Sequence, residues 1–349
     1  MRRREREDME WIAKSDLPWE QYKNSTFLIT GATGLIGSLL VKNLLYCNRI
    51  HHLSLKVLAV VRDLEKGKHI FSEFLSDECL KFMVCDLEQQ ALEVHEEVDY
   101  ILHTAAVTQS KRMVSKPVET IRLSVLSTDR LLALAVNKKV KGFVYVSSME
   151  AYGVLDGGKK ATEEMLGYLD LSAVRSCYPE SKRMCECLCV SYASEYGVPT
   201  RIVRLAQTFG AGIFETENRV FAQFARSALK KENIVLHTYG KSEGNYVYTR
   251  DAVEALLLLL VKGEMAGIYN VSNEESHRTI AEMAELVAKE LAGGQIQVEY
   301  QIPEDRSVYG YAADTRLFLD SGKIMALGWK PKVGLKEAFE RMMDDMKEA

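Results

Sequence analysis

Proline is scarce, six residues in 349, and no stretch joins Pro, Gly and Ser into a flexible linker. A string of tethered modules is therefore not expected, and no segment recurs at a fixed period. Long apolar runs are missing too. The longest, Ala255 to Val261, is too short to span a bilayer and reads as a buried helix. Positive charge is not in excess: the net charge is −4 and the isoelectric point about 6.1. That argues against nucleic acid or an anionic membrane as a partner. Arg2-Arg3-Arg4 and Arg6 alternate with acids and lead into no apolar core. They read as a frayed, solvated end and not as a signal peptide. Residues 10–24, with Trp11, Ile12, Leu17, Trp19 and Tyr22, read as an arm packed on the body. Seven cysteines, an odd number without a secretory signal, fit a reducing cytoplasm. Cys185, Cys187 and Cys189 alternate within a helical segment, where i and i+2 positions do not share a face. No metal site is expected there.

What is present is ordinary globular composition, 47% hydrophobic and 27% charged. The length suits one large domain or two linked ones. Phe27-Leu28-Ile29-Thr30 reads as a buried strand. Gly31, Gly34 and Gly37 follow at G-x-x-G-x-x-G spacing, and Ser38 to Leu45 has helical periodicity. Strand, glycine turn and helix in this order form a dinucleotide-binding fingerprint. Gly31 permits the turn, Gly34 lets backbone approach a pyrophosphate, and Gly37 lets the helix lie close to the strand. The helix N-terminus offers N–H groups to that anion.

Further buried strands are expected at 56–63, 82–87, 98–106 and 141–148, with a long helix from Pro117 to Asn137. Strands alternating with helices predict a doubly wound, Rossmann-type parallel sheet, an α/β fold. Ligands bind such sheets at the carboxyl ends of the strands. Asp86, Thr104, Ala105, Ala106 and Ser148 all fall there. At the end of the second strand an acidic residue bonds the adenosine ribose in NAD-preferring folds. Val61 holds that place, followed by Arg62 and Asp63. Arg62 suits the 2′-phosphate of NADP, and Asp63 suits NAD if the strand runs further. The second half, with a strand at 268–271 and helices at 220–231, 279–291 and from Leu335, predicts a smaller mixed α/β lobe. The division expected is an arm at 1–24, a dinucleotide domain at 25–205 and a substrate lobe at 206–349, with some segments returning to the first domain.

Thirty residues beyond Ser148 stands Tyr178-Pro179-Glu180-Ser181-Lys182. On a helix, Tyr178 and Lys182 share one face. A phenol titrates near pH ~10. A neighbouring ammonium stabilises the phenolate and makes it usable as a base near neutral pH. Ser148 can orient the same substrate hydroxyl.

These motifs, with His103 to Ala106, Ser147 to Gly153 and Leu327-Gly328-Trp329-Lys330-Pro331, resemble the extended short-chain dehydrogenase/reductase family from about Ser25 to Met343. That family acts largely on nucleotide-activated sugars. The resemblance implies Tyr178, Lys182 and Ser148 as the active-site triad. It implies a cofactor, NAD or NADP, held by Gly31, Thr33, Gly34, Leu35, Ile36 and Gly37, by Arg62, Asp63, Asp86 and Leu87, by Thr104, Ala105 and Ala106, and by Tyr178 and Lys182. Relatives carry Thr-Asp-Glu or Thr-Ser-Glu where this chain has Ser148-Met149-Glu150. Glu150 is then the proton-abstracting base, while Met149 removes the acid of a 4,6-dehydratase. The substrate, a nucleotide sugar, falls to Thr108, Gln207, Arg219, Asn245 and Arg306. Asn245 stands where relatives have a diphosphate-gripping arginine, and Arg219, Arg250 or Arg306 can substitute. A homodimer through the helices after Pro117 and Tyr178 is implied as well.

Three functions are weighed: a nucleotide-sugar epimerase or dehydratase recycling its cofactor, an NADPH-dependent reductase of a nucleotide-linked keto sugar or ketose, and a cofactor-binding regulator without catalysis. Glu150 favours the first, Arg62 the second, and the intact triad opposes the third.

Overall fold

The computed structural model describes residues 1–155, 158–303 and 314–348. Seven parallel strands form the central sheet: β1 (Thr26–Thr30), β2 (Lys56–Val61), β3 (Leu80–Val84), β4 (Tyr100–His103), β5 (Gly142–Ser148), β6 (Thr200–Leu205) and β10 (Gly267–Val271). Their order is β10-β6-β5-β4-β1-β2-β3. Parallel neighbours need crossovers, and α2 (Leu35–His51), α3 (Leu64–Ile70), α5 (Pro117–Lys138) and α6 (Cys177–Tyr196) supply four of them. Helices on both faces bury the strands on both sides. β1 and β6 are buried at every residue; β1 accordingly carries the apolar run Phe27-Leu28-Ile29 without alternation, whereas β6 also buries Arg201 and Arg204.

The chain leaves β1 for β2 on one side and returns to β4 on the other. That reversal opens a crevice above the strand ends. His103 locks the two strands: Nδ1 lies 2.7 Å from the Thr30 hydroxyl and Nε2 3.1 Å from the Thr128 hydroxyl. Burial and the nearby Lys182 charge push its imidazole down to about 3, so it stays neutral.

A smaller lobe holds β7 (Gln207–Phe209), β8 (Ile234–Leu236), β9 (Glu243–Tyr248), β11 (Asn273–Thr279) and β12 (Val298–Tyr300). The first sheet is ordered β11-β9-β7, and β12 pairs with β8. Around them pack α7 (Val220–Lys230), α9 (Ile280–Leu286) and α11 (Leu335–Lys347), on a core that includes Phe209, Phe221 and Phe339. Ala206 alone separates β6 from β7, so the lobe begins where the main sheet ends. The apolar run lies on α8 (Thr249–Lys262), whose residues from Ala255 to Leu260 are buried.

The first residues are not a solvated end. They form α1 (Arg3–Ala13), which buries Met9, Ile12 and Ala13. Arg2 pairs with Asp345 at 2.6 Å and Arg4 with Asp344 at 2.7 Å. Asp8 is buried against Arg341 at 2.7 Å and accepts from the Tyr248 hydroxyl at 2.6 Å. Burial lifts the Asp8 carboxyl to about 6, against the pull of Arg341 and Arg250. The alternating charges are thus an anchoring code, read by partners at the far end of the chain.

Candidate active site

The glycine turn is built as its spacing requires. Gly31 has φ +65°, and a Cβ there would stand 2.8 Å from the Ala105 backbone. A Cβ on Gly37 would stand 2.2 Å from the Gly31 carbonyl oxygen. β1, β4 and the start of α2 can therefore meet only through glycine. The Thr104 hydroxyl donates to the Thr30 carbonyl at 2.7 Å and closes the same corner. Gly34 is the extended residue preceding α2. A Cβ on it would meet the protein only at the Gly31 carbonyl, 3.2 Å away, so its other side is open. The first-turn N–H groups of Leu35, Ile36 and Gly37 lack intrahelical partners and face that opening with the positive end of the dipole. This cradle fits a dinucleotide pyrophosphate.

The other residues expected at the cofactor lie at or just beyond neighbouring strand ends. β2 stops at Val61, leaving Arg62 exposed just beyond the strand end. Asp63 caps α3 by accepting from the Lys66 N–H at 3.0 Å, and so is committed to the helix. Asp86 lies half-buried beyond β3 and accepts from the Glu88 N–H at 3.0 Å. Leu87 is buried, Thr104, Ala105 and Ala106 are half-buried, and Thr33 lies in the glycine turn.

Tyr178 and Lys182 lie one turn apart on α6 and are 7% and 2% exposed. The Lys182 ammonium donates to the Val146 carbonyl at 2.7 Å and lies 5.7 Å from the centre of the Tyr178 ring. Burial raises the Tyr178 phenol above its ordinary value, and the Glu150 carboxylate raises it further. The Ser148 hydroxyl, Arg175 and Arg219 pull it back. Burial lowers the Lys182 ammonium to about 8, partly offset by Cys185, Glu186, Cys189 and Glu150. Ser148 closes β5, and its hydroxyl accepts from the Glu150 N–H at 3.2 Å.

Glu150 is exposed and paired, both carboxylate oxygens accepting from Arg175 Nη2 at 3.0 and 2.8 Å. The motifs do not single out Arg175, although it stands only three residues before Tyr178. Nor do they single out Glu186, one turn beyond Lys182, which holds Arg204 of β6 at 2.8 Å in the interior. An acid four residues after a site lysine, in an otherwise apolar helix face, was the available signal.

The substrate residues divide. Gln207 is exposed at the start of β7, two residues past the Leu205 that pairs with Ser148. Thr108 is exposed beyond β4, and Arg219 opens α7, paired with Glu217 at 2.6 Å. Asn245 is fully buried; its amide donates to the Asn273 carbonyl at 3.2 Å and accepts from the Leu319 N–H at 2.7 Å. Arg250 is buried over the Trp11 ring at 4.2 Å and paired with Asp251 at 3.2 Å. Neither presents a free group to a ligand. Arg306 lies outside the described residues.

Comparison with known proteins fits this geometry. A model of the NAD dependent epimerase/dehydratase family matches residues 27–272. UDP-glucuronic acid decarboxylase 6 of Arabidopsis thaliana is 28% identical over 327 residues, spanning 93% of this chain and 89% of that protein. UDP-glucuronic acid decarboxylase 1 of Danio rerio is 26% identical, spanning 90% and 71%. Among solved structures, UDP-glucose 4-epimerase of Thermotoga maritima with UDP-glucose superposes with a TM-score of 0.75 at 23% identity, covering 93% and 99% of the two chains. UDP-glucuronic acid 4-epimerase of Bacillus cereus, in complex with UDP-glucuronic acid and NAD, gives 0.77 at 18% identity, covering 93% and 99%. These two likenesses establish the fold.

Proposed function

From its membership of the NAD dependent epimerase/dehydratase family, in which this chain is an enzyme, we infer that it oxidises a nucleotide-linked sugar transiently and rearranges the keto intermediate. The observation that carries this reading is the convergence of Tyr178, Lys182, Ser148 and Glu150 at the crevice. NAD, held by the Gly31–Gly37 turn, supplies a reversible hydride acceptor. Tyr178 takes the proton of the sugar hydroxyl. Lys182, held by the Val146 carbonyl, stabilises by Coulomb attraction the phenolate that accepts this proton. Ser148 orients the hydroxyl. The new carbonyl acidifies its neighbouring carbon. In an epimerisation there, Glu150 takes that proton as base. In loss of carbon dioxide, the electrons of the breaking C–C bond flow into the carbonyl, and Glu150 in its acid form returns a proton to the carbon. Met149 cannot donate a proton, so loss of water lacks its usual acid; epimerisation or loss of carbon dioxide remains. The relatives named as decarboxylases favour an acidic sugar.

Arg62, exposed and without an ion-pair partner among the described residues, favours the second reading, a net NADPH-dependent reductase. Mass spectrometry after incubation with a panel of nucleotide sugars separates the two. The expected result is a product lacking carbon dioxide, or an isomer, with no net consumption of cofactor. Gain of two hydrogens with matching loss of NADPH replaces the first reading by the second. Glu150→Gln should stop product formation while a single hydride transfer survives; unchanged turnover removes Glu150 from the mechanism.

α5 and α6 pack side by side and leave Val118, Ile121, Met184 and Cys187 exposed. We read this face as a homodimer interface. Light scattering should give twice the chain mass, and Ile121→Asp should halve it; a monomeric parent chain ends that reading. All seven cysteines are free thiols, and no helix among the described residues is long and apolar enough to cross a membrane. The free thiols suit the reducing cytoplasm, which we propose as its location.

A further inference from the structure

Arg175 lies on the single turn Val174–Ser176 that leads into α6. Its guanidinium stands 5.6 Å from the centre of the Tyr178 ring. A guanidinium normally meets a carboxylate with two nitrogens, fork to fork. Here only Nη2 engages Glu150, serving both oxygens. Nη1 is buried and has no hydrogen-bond partner among the described residues. Buried donors are almost always satisfied, and an exception asks for a reason. The pair itself is loosely held, because the side chains of Arg175 and Glu150 are 25% and 42% exposed and partly exposed ion pairs contribute little. The resting arrangement is therefore half-satisfied and cheap to open. A modest turn of the guanidinium would let both nitrogens meet a better-placed anion.

The chemistry of the bound sugar supplies one. If the reacting hydroxyl at C4 meets the Tyr178 oxygen, C5 and C6 follow within two bonds. The Arg175 guanidinium stands beside that same ring, 5.6 Å from its centre. In a hexuronic acid C6 is a carboxylate, and in a neutral hexose it is not. We propose that Arg175 exchanges Glu150 for the C6 carboxylate of a hexuronic-acid nucleotide sugar, and so selects acidic sugars over neutral ones. The proposal rests on the sugar-nucleotide reading above. The exchange has two consequences. Both nitrogens of the fork find acceptors. Glu150 loses its counter-ion when the sugar binds, before the oxidation step, which frees it for the proton transfer at the neighbouring carbon. Arg175 is thus a specificity-determining residue that also gates Glu150.

The test compares binding of UDP-glucuronate and UDP-glucose to the NAD-loaded protein by calorimetry, in the parent chain, Arg175→Gln and Arg175→Lys. The parent should prefer UDP-glucuronate. Arg175→Gln should weaken UDP-glucuronate about 10- to 100-fold, the range of one charge-assisted contact, and leave UDP-glucose within about twofold. Arg175→Lys should recover part of the preference, since it keeps the charge and loses the fork. Equal losses for both ligands in Arg175→Gln would mean that Arg175 only shapes the loop, and the proposal fails. A parent that binds both sugars alike, or turns over neutral ones better, also overturns it while leaving the sugar-nucleotide reading intact. A parent that binds neither sugar and converts no member of the panel overturns both.

Discussion

Tyr178→Phe should lose about 10²- to 10⁴-fold in kcat, the usual contribution of a positioned acid–base group, while still folding and still retaining NAD. The reason lies in how little else the hydroxyl does. The ring is buried in the apolar cluster that also contains Cys185 and Cys189, and phenylalanine fills that space equally well. The charged groups that act on the phenol have other partners: Glu150 and Arg175 pair with each other, and Arg219 pairs with Glu217. Denaturant midpoints of the two proteins should therefore agree closely, and the bound cofactor should co-elute with both on gel filtration. The free protein also forecasts the pH behaviour. Burial holds the phenol above its ordinary value, so on the proposed mechanism Lys182, with the positive ring of NAD when bound, would have to offset that penalty. Turnover by Tyr178→Phe within a few-fold of the parent would show that another group takes the proton, and the assignment of the base would fail.

The parts of this site legible in the sequence share one property: their physics is local. The turn and the close approach within seven residues call for Gly31 and Gly37, and the structure shows them in the positive φ of Gly31 and in the clash a Cβ on Gly37 would make with the Gly31 carbonyl; the clash of Gly31 with Ala105 is a further, long-range constraint. Tyr178 and Lys182 share a helix face because of the helix period. The parallel, doubly wound character of the sheet likewise follows from strands alternating with helices, though its strand order does not. What was not legible depends on partners distant in the chain. Arg2, Arg4 and Asp8 look solvated until Asp345, Asp344 and Arg341, more than 330 residues away, fold against them. Arg250 has the charge to hold a diphosphate, but Asp8 and Asp251 use it. Asn245 has the right polarity for a ligand, but the backbones of Asn273 and Leu319 consume both ends of its amide. Arg175 belongs to no periodic element, and its acid lies 25 residues upstream across a loop. Residue type can be read along the chain; whether a side chain is already spoken for is a tertiary fact.

That distinction matters most beneath the site, where Glu186→Ala should destabilise the fold by about 3–5 kcal/mol. Arg204 and Glu186 are 2% and 5% exposed, so neither charge has water to fall back on. The carboxylate accepts from Arg204 at 2.8 Å and from the Ser147 hydroxyl, while Arg204 also donates to the Glu163 carbonyl at 2.9 Å and lies over the Tyr152 ring at 4.6 Å. Removing the acid leaves a guanidinium buried without a counter-charge, the costly way to break such a pair. Replacing both partners, as Glu186→Met with Arg204→Met, should recover most of the loss, because the desolvation penalty disappears with the charges. Urea unfolding of the three proteins measures this, and a single variant as stable as the parent would refute it. The cluster also reaches the chemistry. Glu186 lies one turn from Lys182, and its charge helps keep that ammonium protonated at about 8 despite burial. Glu186→Gln, which preserves shape, should therefore lower the Lys182 value further. The proton is then lost at lower pH, and the alkaline limb of the kcat profile should move in the acid direction. A profile that stays in place while stability falls would confine Glu186 to holding β5, β6 and α6 together, and leave the ammonium to the Val146 carbonyl alone.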